Sequence, residues 1–252
     1  MKKMTCLASL VAVLGMGCGG DDGGGISEGP SVATGTADVQ AMNSSAGQAD
    51  MLNKALASGS GETVAGSALQ LSSAGMTAVK GGGQALTQAL TAVNAEAGTT
   101  GTKSCTATGC VFDKYGAGGF TMTGSVTATD VAGGGKKVVW SLEGTLDGSA
   151  TSAGTSGVTD IDFTYNWKGD ITVSATSIQG AAGGTWKGSG SAQGQSFSFD
   201  YGSLIKFESV VLTNSCVTGG TITAKWWAVV KAGSQSQTQG AQGTHTFTGC
   251  KM

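Results

Sequence analysis

The sequence has no arginine, one proline and one histidine, and only 12% of its 252 residues are charged. Proteins that bind nucleic acid usually present a basic face rich in arginine, whose side chain makes bidentate contacts with phosphate and guanine. Here every basic residue is a lysine, and the sequence contains 14 lysines and 16 acidic residues. The missing arginine therefore argues against nucleic acid as a partner.

Side chains that carry out catalysis or hold metals are scarce as well. The single histidine, His245, lies in a strand-like pattern, where a surface or packed role is more common than catalysis. Cys105 and Cys110 are spaced like half of a zinc site, but no CxxC pair and no second histidine accompany them. Asp160 and Asp162 alternate along a predicted strand, as they do on an ordinary solvated face. We predict no cofactor, no metal and no enzymatic activity.

The first residues have the features of an export signal. Lys2 and Lys3 precede a short apolar stretch, CLASLVAVLGMG, which is too short to span a membrane as a helix and ends just before Cys18. This segment, residues 1–17 followed by the cysteine, resembles the signal of bacterial lipoproteins. The resemblance implies that Cys18 is lipidated on sulfur and becomes the N-terminus. An ordinary signal peptide is the alternative, because Gly15 and Gly17 also fit a small-x-small cleavage site.

Cysteine number favours the lipoprotein interpretation. Cys6 is removed with the signal, and once Cys18 carries lipid, four of the six cysteines remain, an even number suited to two disulfides in an exported protein. Of the three possible pairings we predict Cys216–Cys250, which closes the last hairpin, together with Cys105–Cys110. On the chain-entropy treatment these bonds stabilise the fold by about 4 and about 2 kcal/mol.

Residues 18–35 follow as a predicted glycine-rich tether, in which GGDDGGG comes directly after Cys18. Lipoproteins retained at the inner membrane usually have aspartate directly after the lipidated cysteine, whereas here Gly19 follows it and the aspartates are Asp21 and Asp22. The resemblance therefore implies a cell-envelope protein held to the outer membrane, with the membrane as its partner through the N-terminal lipid.

Residues 36–98 show the period of amphipathic helices. Two or three alanine-rich helices are predicted, whose narrow apolar stripes are typical of helices that pack on a neighbouring domain, with a partner-binding or coiled segment as the alternative. The stripes are Val39, Met42, Ala46, Ala49, Leu52 and Leu56, then Leu86, Leu90, Val93 and Ala97.

From residue 99 to 252 the period changes to two, which indicates antiparallel strands with one apolar and one polar face. Glycine-containing segments at 130–137, 167–170 and 192–195 are predicted to be hairpin turns. The fold class is mainly β: an antiparallel up-and-down meander of roughly eight to ten strands, curled into a barrel-like sheet, with a two-sheet sandwich as the alternative. The aromatic residues expected to line it are Trp140, Phe163, Trp167, Phe197 and Phe199.

Trp227 stands out because it follows another tryptophan. Neighbouring side chains of a strand point to opposite faces, so Trp226 and Trp227 cannot share a face, and Trp227 lies among polar residues. Either the helical segment covers it, or it is an exposed contact for a ligand or a partner.

The function predicted from these features is that of a non-enzymatic, lipid-anchored lipoprotein of the cell envelope. Its β-rich domain is expected to bind something or to serve a structural role, and the aromatic interior is either filled by its own side chains or encloses an apolar ligand. Two alternatives stay open: an outer-membrane β-barrel, and a secreted enzyme of unrecognised type.

Overall fold

A single curled sheet dominates the structure, a computed structural model that describes residues 25–77, 100–116, 120–146, 158–192, 195–213 and 216–250. The sheet has ten strands in the order β1-β10-β9-β8-β7-β6-β5-β4-β3-β2, is curled and is not closed. All neighbours are antiparallel except β1, which runs parallel to β10. The strands are β1 (Ala33–Thr34), β2 (Thr100–Thr106), β3 (Gly109–Gly116), β4 (Phe120–Val131), β5 (Gly135–Leu146), β6 (Val158–Val173), β7 (Ser177–Ala192), β8 (Gln195–Thr213), β9 (Cys216–Ala232) and β10 (Gln235–Phe247). The predicted antiparallel meander is confirmed.

The described helices are α1 (Val39–Ala57), α2 (Gly61–Ser72) and the single turn α3 (Ala74–Thr77). Side-chain oxygens cap the first two: the Asp38 carboxylate accepts from the Ala41 amide at 3.0 Å, and the Ser60 hydroxyl accepts from the Thr63 amide at 3.3 Å. Such caps satisfy amides that have no partner within the first turn of a helix. The second predicted stripe, Leu86 to Ala97, lies outside the described residues.

The helices pack on one face of the sheet, called the inner face here. Fully buried side chains of α1 and α2 form one hydrophobic core with the inner-face residues of the strands, as the narrow helical stripes predict. Examples are Met42 and Leu52 from α1, Leu69 and Leu71 from α2, and Trp140, Trp167 and Phe207 from the sheet. The opposite, outer face carries pairs of threonines that hydrogen bond across strands, such as Thr221 with Thr246 at 3.0 Å.

Ser72, the last residue of α2, joins the helices to the sheet through two buried hydrogen bonds. Its hydroxyl oxygen accepts from the indole N–H of Trp140 at 2.8 Å, and its carbonyl accepts from the Ser203 hydroxyl at 2.6 Å. Because Ser72 is fully buried, water cannot replace these partners.

Replacing Ser72 by alanine should lower the free energy of unfolding by about 1–3 kcal/mol, because the indole N–H of Trp140 stays buried without an acceptor. Urea denaturation followed by circular dichroism measures the change. Ser73→Ala is the matched control. The Ser73 hydroxyl makes an exposed hydrogen bond to the Gln70 carbonyl, so its removal should lower the free energy of unfolding by less than about 0.5 kcal/mol. Equal losses for the two variants would contradict the assigned role of Ser72.

One predicted turn is wrong. Residues 167–170 lie inside β6, which continues from Val158 to Val173. The glycine there serves packing: a Cβ at position 169 would lie 2.0 Å from Cζ2 of Trp140, so only glycine leaves room for that ring on the neighbouring strand. The other two predicted turns fall at strand junctions, between β4 and β5 and between β7 and β8.

The chain before α1 wraps around the β10 edge of the sheet, and we call residues 25–37 the strap. On the outer face the strap crosses the strands, with Ile26 at Gly183 of β7 and Val32 at Gly240 of β10. Strand β1 then pairs with β10, and Ala37 contacts Gly243, whose strand neighbour Ala224 belongs to the inner core. The later part of the predicted tether is therefore packed against the sheet.

Candidate functional site

Both predicted disulfides are present. Cys105 pairs with Cys110 across the β2–β3 hairpin, and Cys216 pairs with Cys250, which ties the start of β9 to the segment after β10. Asn43 of α1 holds the start of β9 beside the Cys216–Cys250 bond, because its side-chain amide oxygen accepts a hydrogen bond from the backbone amide of Val217 at 2.9 Å. Cys18, the predicted lipidation site, lies outside the described residues.

Trp227 is on the outer face, as the alternation of β9 predicts, but it is only 1% exposed. The strap covers it, whereas the helices lie on the opposite face. A Cβ at Gly202 would lie 1.9 Å from its ring, and Gly29 of the strap, with φ +61°, rests on the ring from above. Trp227 therefore anchors the strap and is not an exposed contact for a ligand or a partner.

Charged groups hold the strap at the same place. The Glu28 carboxylate pairs with the Lys206 ammonium at 2.6 Å, and the Glu28 carbonyl accepts from the ammonium of Lys225. Lys225 lies 5.6 Å from the centre of the Trp227 ring. Burial lowers the pKa of Lys225 despite the nearby Glu28 carboxylate, because desolvation disfavours the charged form.

Neither a catalytic nor a metal-binding arrangement is found within the described residues. No group of three His, Cys, Asp or Glu side chains could hold a metal ion there. One string, Gly25 to Gly29, has the G-x-S-x-G spacing of a hydrolase nucleophile elbow, which requires a strand before the serine and a helix after it. Ser27 instead lies in the irregular strap, and its hydroxyl accepts from the Gly29 amide at 3.3 Å.

The most distinctive group of side chains lies on the inner face of β6 to β9. Strand register places Phe163 beside Gly188 and Phe199, and it places Trp186 between Tyr165 and Tyr201. We call each row of register partners across these four strands a level. The next level on the inner face contains Trp167, Gly184, Ser203 and Trp226. We define the aromatic cluster as these seven rings: Phe163, Tyr165, Trp167, Trp186, Phe199, Tyr201 and Trp226.

Most of these rings contact one another in the arrangements that aromatic pairs prefer. The ring centres of Phe163 and Phe199 are 5.0 Å apart, and Tyr165 stacks on Trp167 at 5.1 Å. Trp167 and Trp186 meet edge to face at 6.4 Å. The glycines provide the space, since a Cβ at Gly188 would lie 2.4 Å from the Phe199 ring.

The cluster extends from the level of Ser203, where α2 ends on the sheet, to the end of the sheet where β6 and β8 begin. Trp167, Trp186 and Tyr165 are at most 6% exposed, whereas Phe163 and Tyr201 are only partly buried. Phe197 continues the same face and is also partly buried. Sequence reasoning identified Phe163, Trp167, Phe197 and Phe199 but missed Trp186, which stands in a glycine-rich strand without an alternating apolar pattern.

Within the part of the chain that the structure describes, three indole N–H groups of the cluster have no hydrogen-bond partner: those of Trp167, Trp186 and Trp226. All three residues are more than nine-tenths buried, the most exposed being Trp226 at 8%. A buried donor without a partner costs roughly 1–3 kcal/mol, and buried indole N–H groups are usually paired. These donors mark the cluster as unlike the rest of the core.

The cluster lies in a strongly desolvated environment. Burial raises the pKa of Tyr165 from its ordinary value of 10.0 to about 12, and burial also raises the pKa of Tyr201. A phenol whose pKa is higher in the folded state contributes constant stability below pH 10, and this contribution is lost as the pH rises towards 12.

Tyrosinate absorbance at 295 nm should therefore show a step near pH 12 that disappears in Tyr165→Phe. Only three tyrosines are present, so the step can be assigned by single replacements. The Tyr165→Phe chain should also lose less stability than the parent chain between pH 10 and pH 12. A Tyr165 signal that titrates at pH 10 in the folded protein would contradict its desolvation.

Comparison with protein-family models, with curated proteins and with solved structures finds no match to this chain. None of the helices among the described residues combines the length and the hydropathy needed to cross a membrane.

Proposed function

We propose that the chain is a non-enzymatic lipoprotein of the bacterial cell envelope, attached to the outer membrane through lipid at Cys18. Its β domain binds an apolar ligand at the aromatic cluster. The observation that carries the proposal is an inner sheet face that stays aromatic beyond the level at which α2 ends, with Phe163, Phe197 and Tyr201 still partly exposed there.

Several features of the cluster support ligand binding. Among the described residues, the cluster and its neighbours on the inner face of β6 to β9 contain no charged side chain, so an apolar molecule would meet no desolvated charge from these strands. Binding sites for small molecules are commonly lined by apolar and aromatic side chains with a few polar groups that fix orientation. The unpaired indole donors and the tyrosine hydroxyls are polar groups of this kind.

The strap supports attachment through the N-terminus. It begins at Gly25, shortly after Cys18, and is fixed to the outer face by Trp227 and Glu28. Residues 18–24 can span at most about 25 Å when extended. A lipid at Cys18 would therefore hold the folded domain close to the membrane surface.

Intact-mass measurement of the chain isolated from envelope membranes tests the anchor. We expect a mature chain that starts at Cys18 and carries the mass of attached lipid, and we expect Cys18→Ser to abolish both the added mass and membrane retention. Recovery of the parent chain with an unmodified Cys18 would refute lipid anchoring.

Binding is tested with the mature Cys18→Ser chain, purified with its disulfides formed and titrated with the neutral dye Nile red. Saturable fluorescence enhancement is expected, and Phe163→Lys should reduce the affinity at least about tenfold by placing a charge in the apolar site. Val139→Lys is the matched control, because Val139 is 39% exposed on the outer face. Equal affinities for the two folded variants would rule out the cluster as the site.

A further inference from the structure

We infer that the ligand of the aromatic cluster is a neutral, mainly apolar molecule with at least one oxygen acceptor, such as an acyl ester, that accepts hydrogen bonds from Trp186 and Trp226. This inference rests on the proposed binding function and names its ligand class. Trp167 supplies a third donor at the level of Trp226, one row from Trp186.

A contrast between tryptophans supports the inference. Trp140 lies under the end of α2, and its indole N–H donates to Ser72 at 2.8 Å. Trp226 lies on the same face beside Ser203, which donates to the Ser72 carbonyl, and Trp186 lies one inner-face row beyond Ser203. Among the described residues neither of their indole donors has a partner. The indole donor beneath the end of α2 is thus paired, whereas the donors beside and beyond that point have no partner among the described residues.

The same surroundings indicate the charge and polarity of the ligand. An anion such as a free carboxylate would meet no cation on the described inner face of β6 to β9, which is strongly unfavourable in a desolvated environment. A pure hydrocarbon would leave the indole donors unpaired. A molecule with an apolar body and an uncharged carbonyl or hydroxyl oxygen avoids both costs.

Indole resonances in ¹H–¹⁵N spectra provide a direct test. The chain has five tryptophans, so five indole signals can be assigned by single Trp→Phe replacements. Adding monooleoylglycerol, a neutral ester, should move the Trp186 and Trp226 signals downfield. The signals of Trp140, already paired, and of Trp227, on the outer face under the strap, should stay in place. Unchanged Trp186 and Trp226 signals at saturating ester would overturn the inference.

Affinity measurements separate this inference from the proposed function. Monooleoylglycerol should bind at least about tenfold more tightly than 1-octadecene or oleate. Trp186→Phe should weaken binding of the ester about tenfold and leave binding of 1-octadecene unchanged. Trp140→Phe should leave ester binding unchanged.

If all three probes bind equally, or if Trp186→Phe weakens them equally, the ligand class is wrong but apolar binding stands. If none of the three binds, the proposed function fails as well. If Trp186→Phe destabilises the ligand-free chain as strongly as Trp140→Phe does, the Trp186 donor already has a partner within the protein, which would also overturn the inference.

Discussion

Replacing Trp227 by alanine should lower the free energy of unfolding by about 3–5 kcal/mol, the range for removing a large buried aromatic side chain. The ring is 1% exposed and fills the space between Gly202 in the sheet and Gly29 in the strap. Its removal leaves a cavity and also releases the strap from the outer face. Urea denaturation followed by circular dichroism measures the first effect, and proteolysis within residues 25–37 measures the second.

Val139→Ala provides the comparison for Trp227→Ala. Val139 also points outward from the sheet, but it is 39% exposed, so its truncation should change stability by less than about 0.5 kcal/mol. If Trp227→Ala lost no more stability than Val139→Ala, or left the strap as resistant to protease as in the parent chain, Trp227 would not anchor the strap.

Replacing Cys216 and Cys250 together by serine should cost about 4 kcal/mol, because this bond links residues 34 apart in sequence and restricts the unfolded chain strongly. The bond also lies beside the contact between Asn43 and Val217, which fastens α1 to β9. Thermal and urea unfolding of the oxidised parent and the double variant measure the difference.

The second disulfide is a control within the same chain. Cys105 and Cys110 are only 5 residues apart, so their joint replacement by serine should cost about 2 kcal/mol. A loss for the Cys105–Cys110 pair equal to or greater than that for Cys216–Cys250 would contradict the loop-closure account of both bonds.

The features that sequence reasoning predicted correctly depend on local patterns. Alternation in β6 and β9 assigned Trp167 and Trp226 to one face and Trp227 to the other, as the strand register shows. The stripe beginning at Val39 marked α1 correctly. Each of these patterns is repeated over several residues, so a single exception does not hide it.

The features that were missed depend on contacts between distant segments. The strap has no periodic apolar pattern. The packing role of its isolated apolar residues is visible only from the glycines against which they lie, as Val32 lies against Gly240. Gly169 resembles a turn residue until the Trp140 ring is placed over it. The aromatic cluster likewise requires the pairing of four strands, which brings Trp186 between Tyr165 and Tyr201.

Native mass spectrometry of the mature chain, released from envelope membranes in a neutral detergent, tests the central claim most directly. We predict a folded chain that retains a small neutral molecule, releases it on collisional activation and loses it in Phe163→Lys but not in Val139→Lys. A parent chain that is ligand-free in every preparation, and that takes up no monooleoylglycerol when this is supplied, would contradict the proposal that the aromatic cluster is a binding site.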